Sequence, residues 1–205
     1  MAITYPRALP VAPAPRKNTF ELIFNIDVME SPITKQAVFD EKQGHRWEGI
    51  FYYPKMTSLT AREWKAWFTT MKGPMKTFYC FDPDNKLPVG IAAVGTDTPL
   101  VRGAGQGGTS VLTDAWRVNG TGLLLPGDDV QVGTEYKRVT ETVSSNASGI
   151  ATINFEPKLH GTLADNAAVV FDNPKGIFRM DGMSVQYNSD EFGVHEFAIA
   201  FVEHF

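Results

Sequence analysis

Three glycines, Gly103, Gly105 and Gly108, stand in the stretch VRGAGQGGTSVLTDAW at the spacing G-x-G-x-x-G. That spacing lets backbone amides approach a pyrophosphate, but only where a strand feeds the glycines and a helix leaves them to supply its dipole. After Gly108 come Thr109, Ser110, Val111, Leu112 and Thr113, and then Asn119-Gly120, a β-branched run closed by a hairpin-type turn signal. No helix of useful length fits there. Upstream, Asp97, Thr98 and Pro99 interrupt the buried strand that a βαβ unit would need. The glycines are therefore expected in a turned loop between strands, with no dinucleotide bound.

Other chemistry finds little support. There is no G-x-S-x-G elbow, and Ser110, Ser184 and Cys80 lie in no local context that supplies a base or an oxyanion hole. The four histidines, His45, His160, His195 and His204, form no H-x-x-x-H or H-E-x-x-H pair. His195 and His204 flank an apolar strand and are expected to be satisfied or solvent-facing. Asp82, Asp84 and Asn85 resemble the start of a calcium loop, but the glycine at loop position 6 and the glutamate at position 12 are missing, so a turn around Pro83 is expected. Asp128 and Asp129 follow Pro126-Gly127 and read as a tight turn between strands. A glycosidase pair has no local signature among the 23 acids. The residues recommend no catalytic, cofactor-binding or metal site.

The 205 residues suffice for one large or two small domains with a proper core. A single cysteine, Cys80, in the apolar run Thr77 to Phe81, excludes an intramolecular disulfide and suits a reducing cytoplasm. The net charge of -4, with both signs interspersed, argues against an electrostatic nucleic-acid binder. No apolar run approaches the roughly 18 residues of a spanning helix, and no secretory h-region is present at the N-terminus.

The elements that would carry any function are mostly strands. Residues 1–17 contain Pro6, Pro10, Pro13 and Pro15, which favour an extended arm, either disordered or docked along a neighbouring subunit or partner. Phe20, Leu22 and Phe24, then Trp47, Gly49, Phe51 and Tyr53, alternate at period two; Lys42 to Gly44 reads as a hairpin turn between Ala37–Glu41 and His45–Tyr53. One helix is predicted over residues 60–72. Thr60-Ala61-Arg62-Glu63 matches a capping box, Leu59 and Trp64 a hydrophobic staple, and Trp64, Trp67, Phe68 and Met71 form one apolar stripe ended by Gly73-Pro74. Residues 85–172 change character to short, turn-rich strands, and the first character returns at Asn173-Pro174. Phe197, Ile199 and Phe201 alternate with Ala198, Ala200 and Val202, marking a last strand apolar on both faces and therefore central. This predicts a mainly β protein: a first domain of residues 18–84 plus 173–205, interrupted by a β module of residues 85–172.

The order RWEGIFYYPKMTSLTAREWKAWFTTMKGPMKTFYCFDPD, the glycine-rich VRGAGQGGTSVLTDAW, LLLPGDDVQV and ATINFEPKL resembles distal tail proteins and related tail-tip proteins of long, non-contractile-tailed phages and prophages. The likeness covers about residues 18–205 and rests on Trp64, Trp67 and Phe68, on the turn Phe81-Asp82-Pro83, on Gly127-Asp128, and on Pro157 and Leu159. It implies a β-sandwich or barrel ring domain with one α-helix, interrupted by an inserted OB-like β-barrel. It further implies a non-enzymatic virion protein without cofactors, synthesised in the bacterial cytoplasm and located at the tail tip. As a hexameric ring it would join the tail tube to the baseplate hub and fibres, with DNA only passing through the lumen. Two alternatives remain: a tail-tube or tail-completion ring protein, or a carbohydrate-binding insert presenting Trp116 and Tyr136, its only large aromatics besides phenylalanines.

Overall fold

The computed structural model describes residues 3–94, 96–186, 188–189 and 193–205. The chain runs β1 (Lys17–Ile23), β2 (Ile26–Glu30), β3 (Ala37–Glu41), β4 (Arg46–Tyr52), β5 (Met56–Thr57), α1 (Ser58–Met71) and β6 (Thr77–Cys80). It continues through β7 (Leu100–Val101), β8 (Ser110–Asp114), β9 (Asp129–Val132), β10 (Glu135–Val139), β11 (Ala151–Glu156) and β12 (Val169–Val170). The last strands are β13 (Gly176–Met180), β14 (Asn188–Ser189), β15 (Val194–Glu196) and β16 (Ala198–Glu203). The fold is mainly β with one α-helix.

A five-stranded sheet has the order β1-β4-β16-β13-β6, with every pairing antiparallel. The doubly apolar last strand, β16, lies at its centre, as its composition predicts. The period-two residues of β4 turn one face inward, and Trp47, Gly49 and Phe51 are buried. Gly49 permits the close approach on which this face depends: a Cβ there would lie 2.3 Å from the Thr19 carbonyl oxygen and 2.7 Å from the Phe201 ring. The stripe of α1 buries Trp64, Trp67, Phe68 and Met71. Trp64 lies 5.2 Å from Phe197 and Trp67 lies 5.3 Å from Phe78, ring centre to ring centre. Each such side chain contributes on the order of 1.5–3 kcal/mol.

Three local expectations are corrected. The helix begins at Ser58, not Thr60, because β5 pairs with β15 at Thr57↔Val194 and the chain turns into the helix directly from that strand. Thr57 is the N-cap without a side-chain bond, Ser58 Oγ donates to the Gly193 carbonyl at 2.9 Å, and Leu59 is 78% exposed. Neither capping box nor staple forms. The helix ends at Met71, where Lys72 adopts a left-handed φ of 53°. Second, β3 does not pair with β4 across Lys42 to Gly44. It pairs with β2, Val28 opposite Phe39, while β4 takes β1 and β16. Lys42 N donates to the Asn25 carbonyl, and Asn25 Nδ2 to the Gln43 carbonyl, so the turn leads the chain out of the ribbon and into the sheet. Third, residues 3–16 dock on their own chain, because the indole N–H groups of Trp64 and Trp67 need acceptors and the arm's carbonyls supply them.

The second sheet has six strands in the order β12-β9-β10-β11-β8-β7 and is nearly closed like a barrel. Its ends meet through the Leu100↔Ala168 bridge and the Val101 N to Ala167 O bond of 2.9 Å. Inside lie Val101, Val111, Leu123, Leu124, Val130, Val132, Ile153 and Phe155. Gly103, Gly105 and Gly108 occupy the loop from β7 to β8, at φ of +91°, +82° and +88°. Strand β8 follows them, so the loop has no helix N-terminus for a phosphate.

Candidate assembly interfaces

The ribbon of β2 and β3 exposes several large apolar side chains. Every residue of both strands is exposed, and among the described residues each strand's only sheet partner is the other. Cross-strand neighbours share a face. Ile26, Val28 and Phe39 therefore stand on one face and Met29 and Val38 on the other, with Ile33 in the connecting turn. Asp27 and Asp40 sit directly opposite each other, and Lys42 pairs with Asp27. A two-stranded ribbon is marginal in water by itself, and this one carries exposed apolar side chains on both of its faces.

The sheet edges differ. At β6 the arm closes the edge: Arg7 bridges to Phe78, Arg7 N donates to Thr77 O at 3.0 Å and Tyr79 N donates to Arg7 O at 2.9 Å. Trp67 Nε1 donates to the Ala8 carbonyl at 2.8 Å, Trp64 Nε1 to the Ala12 carbonyl at 2.9 Å, and Tyr5 Oη to the Thr70 carbonyl at 2.8 Å. Tyr5 and Leu9 also pack on the core. At the opposite edge, β4 is the one strand partner of β1 among the described residues, and Asn18 Nδ2 donates to Asp82 at 3.4 Å and to Asp84 at 3.2 Å.

The two sheets are tied together by polar groups. Tyr136, on β10, belongs to the core of the five-stranded sheet, and its carbonyl accepts from Trp47 Nε1 at 3.1 Å. Tyr136 Oη donates to Asp129 at 2.6 Å, and the Arg138 guanidinium holds Asp129 through bonds of 2.7 and 2.9 Å. Arg138 also reaches Asp82 at 3.3 Å and lies over the Trp47 ring. Burial pushes Asp129 above the usual carboxylate range, opposed by its bonds to Arg138 and Tyr136. Beside this cluster the fully buried Lys137 ammonium pairs with Glu135 at 2.8 Å and donates to the Lys158 carbonyl. Burial would raise Glu135, yet the Lys137 charge and the bonds from Lys137 and His160 outweigh it and the net shift is downward. Burial raises Glu203 to about 7, against the Lys137 charge and the bond from Trp47 N.

The residues singled out for chemistry serve the fold. Cys80 is buried, and burial pushes its thiol up. Asp82 organises its turn, accepting from Asp84 N and Asn85 Nδ2. Asp128 is a buried acceptor for the amides of Val89, Gly90 and Leu125, and Asp129 is the partner of Arg138; neither is merely a turn residue. His45 is buried against Phe24, His160 bonds Glu135 and stacks on Phe205, His195 Nε2 lies 3.2 Å from Ser58 Oγ, and His204 is exposed. The four histidines are not brought together: among the described residues, no three His, Cys, Asp or Glu side chains form a group that could hold a metal. Trp116 and Tyr136 are both buried, which removes the aromatic platform from the sugar-binding alternative. Lys137, Arg138 and Glu203 stand in no sequence motif that marks them. The pattern EYKRV carries no local sign that its lysine is buried. Among the described residues, no helix is long and apolar enough to cross a membrane. No protein-family model matches the chain, and no curated protein matches it.

Proposed function

We propose that this protein is a non-enzymatic, ring-forming subunit of a phage tail tip, probing no substrate and holding no cofactor. In this reading six copies form a ring that joins the tail tube to the baseplate hub and fibres, and DNA passes through the lumen. The observation that carries it is the ribbon β2–β3, whose Ile26, Val28 and Phe39 face and Met29 and Val38 face stand uncovered by any other described strand. A cyclic head-to-tail assembly needs two different patches per subunit. The ribbon and the open β1 edge are such patches. The order of sequence motifs and the mainly β fold support the same reading.

Native mass spectrometry and negative-stain imaging across concentration and salt test it. Six-fold rings are the expected result. A strict monomer that fails to join purified tail components overturns it.

A further inference from the structure

A cavity of about 350 Å³ lies between the docked arm and the five-stranded sheet. Pro10, Pro13 and Pro15 of the arm form one wall, and Phe51, Tyr79 and Phe81 form the other. Backbone bonds fix the arm on both sides of this space. Arg7 and Ala8 are held at β6 and Trp67, the Ala12 carbonyl at Trp64, and Arg16 N donates to the Tyr52 carbonyl at 2.8 Å. The prolines between these points have no N–H with which to draw the arm down onto the sheet. The space therefore stays open beneath an arm that is already in place. Its volume and apolar walls match those of small-molecule sites, in which a few polar groups fix the ligand's orientation.

Three such groups are present. Tyr53 lines the cavity, is 3% exposed, and its hydroxyl has no hydrogen-bond partner among the described residues. Burial first, and then the nearby thiol of Cys80, which stands between Tyr79 and Phe81 in the chain, push that hydroxyl up, so it stays a neutral donor. A buried donor without an acceptor is costly, and an oxygen in the cavity would satisfy it. The other two groups are the ammoniums of Lys86 and Lys175. Asn173 N donates to the Lys86 carbonyl at 2.8 Å and Lys175 N to Gln131 Oε1 at 3.1 Å, which brings both lysines to one rim. Lys86 Nζ lies 5.7 Å from the centre of the Phe81 ring. No acidic side chain lines the cavity. The carboxylates beside it in the chain are engaged elsewhere: Asp82 with Arg138, Asp84 with Asn18 and Asp172 with Asn173. The rim thus carries uncompensated positive charge over an apolar interior. We propose that this cavity binds a small aromatic carboxylate bearing a second oxygen. Its ring lies between the prolines and the aromatic wall, its carboxylate meets Lys86 and Lys175, and the second oxygen accepts from Tyr53 Oη. An aromatic body suits these walls, because rings gain from offset or edge-to-face contact beyond the area they bury. Such a ligand touches arm and sheet at once, so its binding stabilises the docked arm by mass action. The site is complete within one chain and stands apart from the ring reading.

The test is calorimetric titration of the full chain with methoxynaphthoate, its neutral amide and unsubstituted naphthoate. Methoxynaphthoate should bind one to one with a Kd below about 1 mM, and the amide about tenfold more weakly. Lys86→Gln combined with Lys175→Gln changes two exposed side chains and should leave the melting temperature unchanged while abolishing the preference for acid over amide. Tyr53→Phe should weaken methoxynaphthoate severalfold and leave unsubstituted naphthoate unaffected. Bound methoxynaphthoate should also slow proteolysis of residues 8–16. No binding up to about 10 mM, or equal affinity for acid and amide, overturns the proposal. So does binding that the lysine variant leaves intact, and a Tyr53→Phe variant that binds both acids as the parent does rules out this cavity as the place of binding.

Discussion

The six-stranded sheet is nearly closed upon itself and the five-stranded sheet is not. In the first, the ends of β7 and β12 meet through Leu100 and Ala168, and the interior is mostly Val, Leu and Ile. In the second, two edges remain, one covered by the arm and one not, and the core is built on Trp47, Phe51, Tyr53, Trp64, Trp67, Phe68, Phe78, Phe178, Phe197 and Phe201. Closure removes the unpaired backbone groups through which sheets associate; an open sheet must cover them with its own chain or another. If the protein assembles as proposed, the open region is where its unpaired edge and exposed ribbon lie. The nearly closed region meets it through Tyr136, whose carbonyl accepts from Trp47 Nε1, and through Arg138, which reaches Asp82 and the Trp47 ring.

The largest effect is expected where the two regions are joined. Arg138→Met leaves the fully buried Asp129 carboxylate with only the Tyr136 hydroxyl of its side-chain partners, and breaking such a pair costs about 3–5 kcal/mol. Urea unfolding followed by tryptophan fluorescence should show that loss. An unchanged midpoint would mean that the Arg138 network adds nothing measurable to stability beyond packing and the Trp47 to Tyr136 bond.

Glu203 sharpens the comparison through pH. Its folded pKa of about 7 lies above the ordinary 4.5, so between those values the folded state binds a proton that the unfolded state has released. The stability from this group is fully present below about pH 4.5 and is lost as the pH rises to about 7. The shift corresponds to roughly 3 kcal/mol at 1.36 kcal/mol per pKa unit. Glu203→Gln keeps an acceptor for Trp47 N and should be more stable than the parent at pH 8, by up to about that amount, with the advantage shrinking as the pH falls towards 4.5. A pH-independent difference would refute the assignment to Glu203.

The arm's cover on the open region should be worth less. Trp67→Phe keeps most of the ring volume but leaves the Ala8 carbonyl without its indole donor, an expected cost of about 1–2 kcal/mol. Limited proteolysis should then cut residues 8–16 faster, while the closed region keeps its resistance. Equal cleavage rates in parent and variant would show that the indole bond does not hold the arm.

What was legible in the sequence was periodic and local. The stripe of Trp64, Trp67, Phe68 and Met71 fixes which helix face is buried, and the doubly apolar β16 announces a central strand. The pairing of β3 was not legible, because Lys42 to Gly44 signals a turn without saying which strands it joins; that depended on β1 fitting against Gly49. The prolines indicate an extended arm but not its groove, since the two indole donors lie more than fifty residues away. Lys137 and Glu203 look like ordinary strand residues. Their burial follows from two sheets meeting, which no local window contains.

The smallest expected effect on folding falls on the ribbon, and it discriminates best between the two regions. Phe39 is 69% exposed and touches no core cluster, so Phe39→Asp should change subunit stability by no more than about 0.5 kcal/mol. In an assembled ring the same side chain would be covered, and an unpaired carboxylate there should weaken association about tenfold or more, equivalent to at least about 1.4 kcal/mol. Thermal melts and sedimentation velocity on the same sample separate the two quantities. A less exposed position on the nearly closed region, Leu112→Asp (39% against 69%), serves as the contrast for association: whatever it costs the fold, it should leave sedimentation unchanged. If Phe39→Asp and Leu112→Asp behave alike in sedimentation, the ribbon is not the contact between subunits, and the open β1 edge becomes the surface that must carry the assembly.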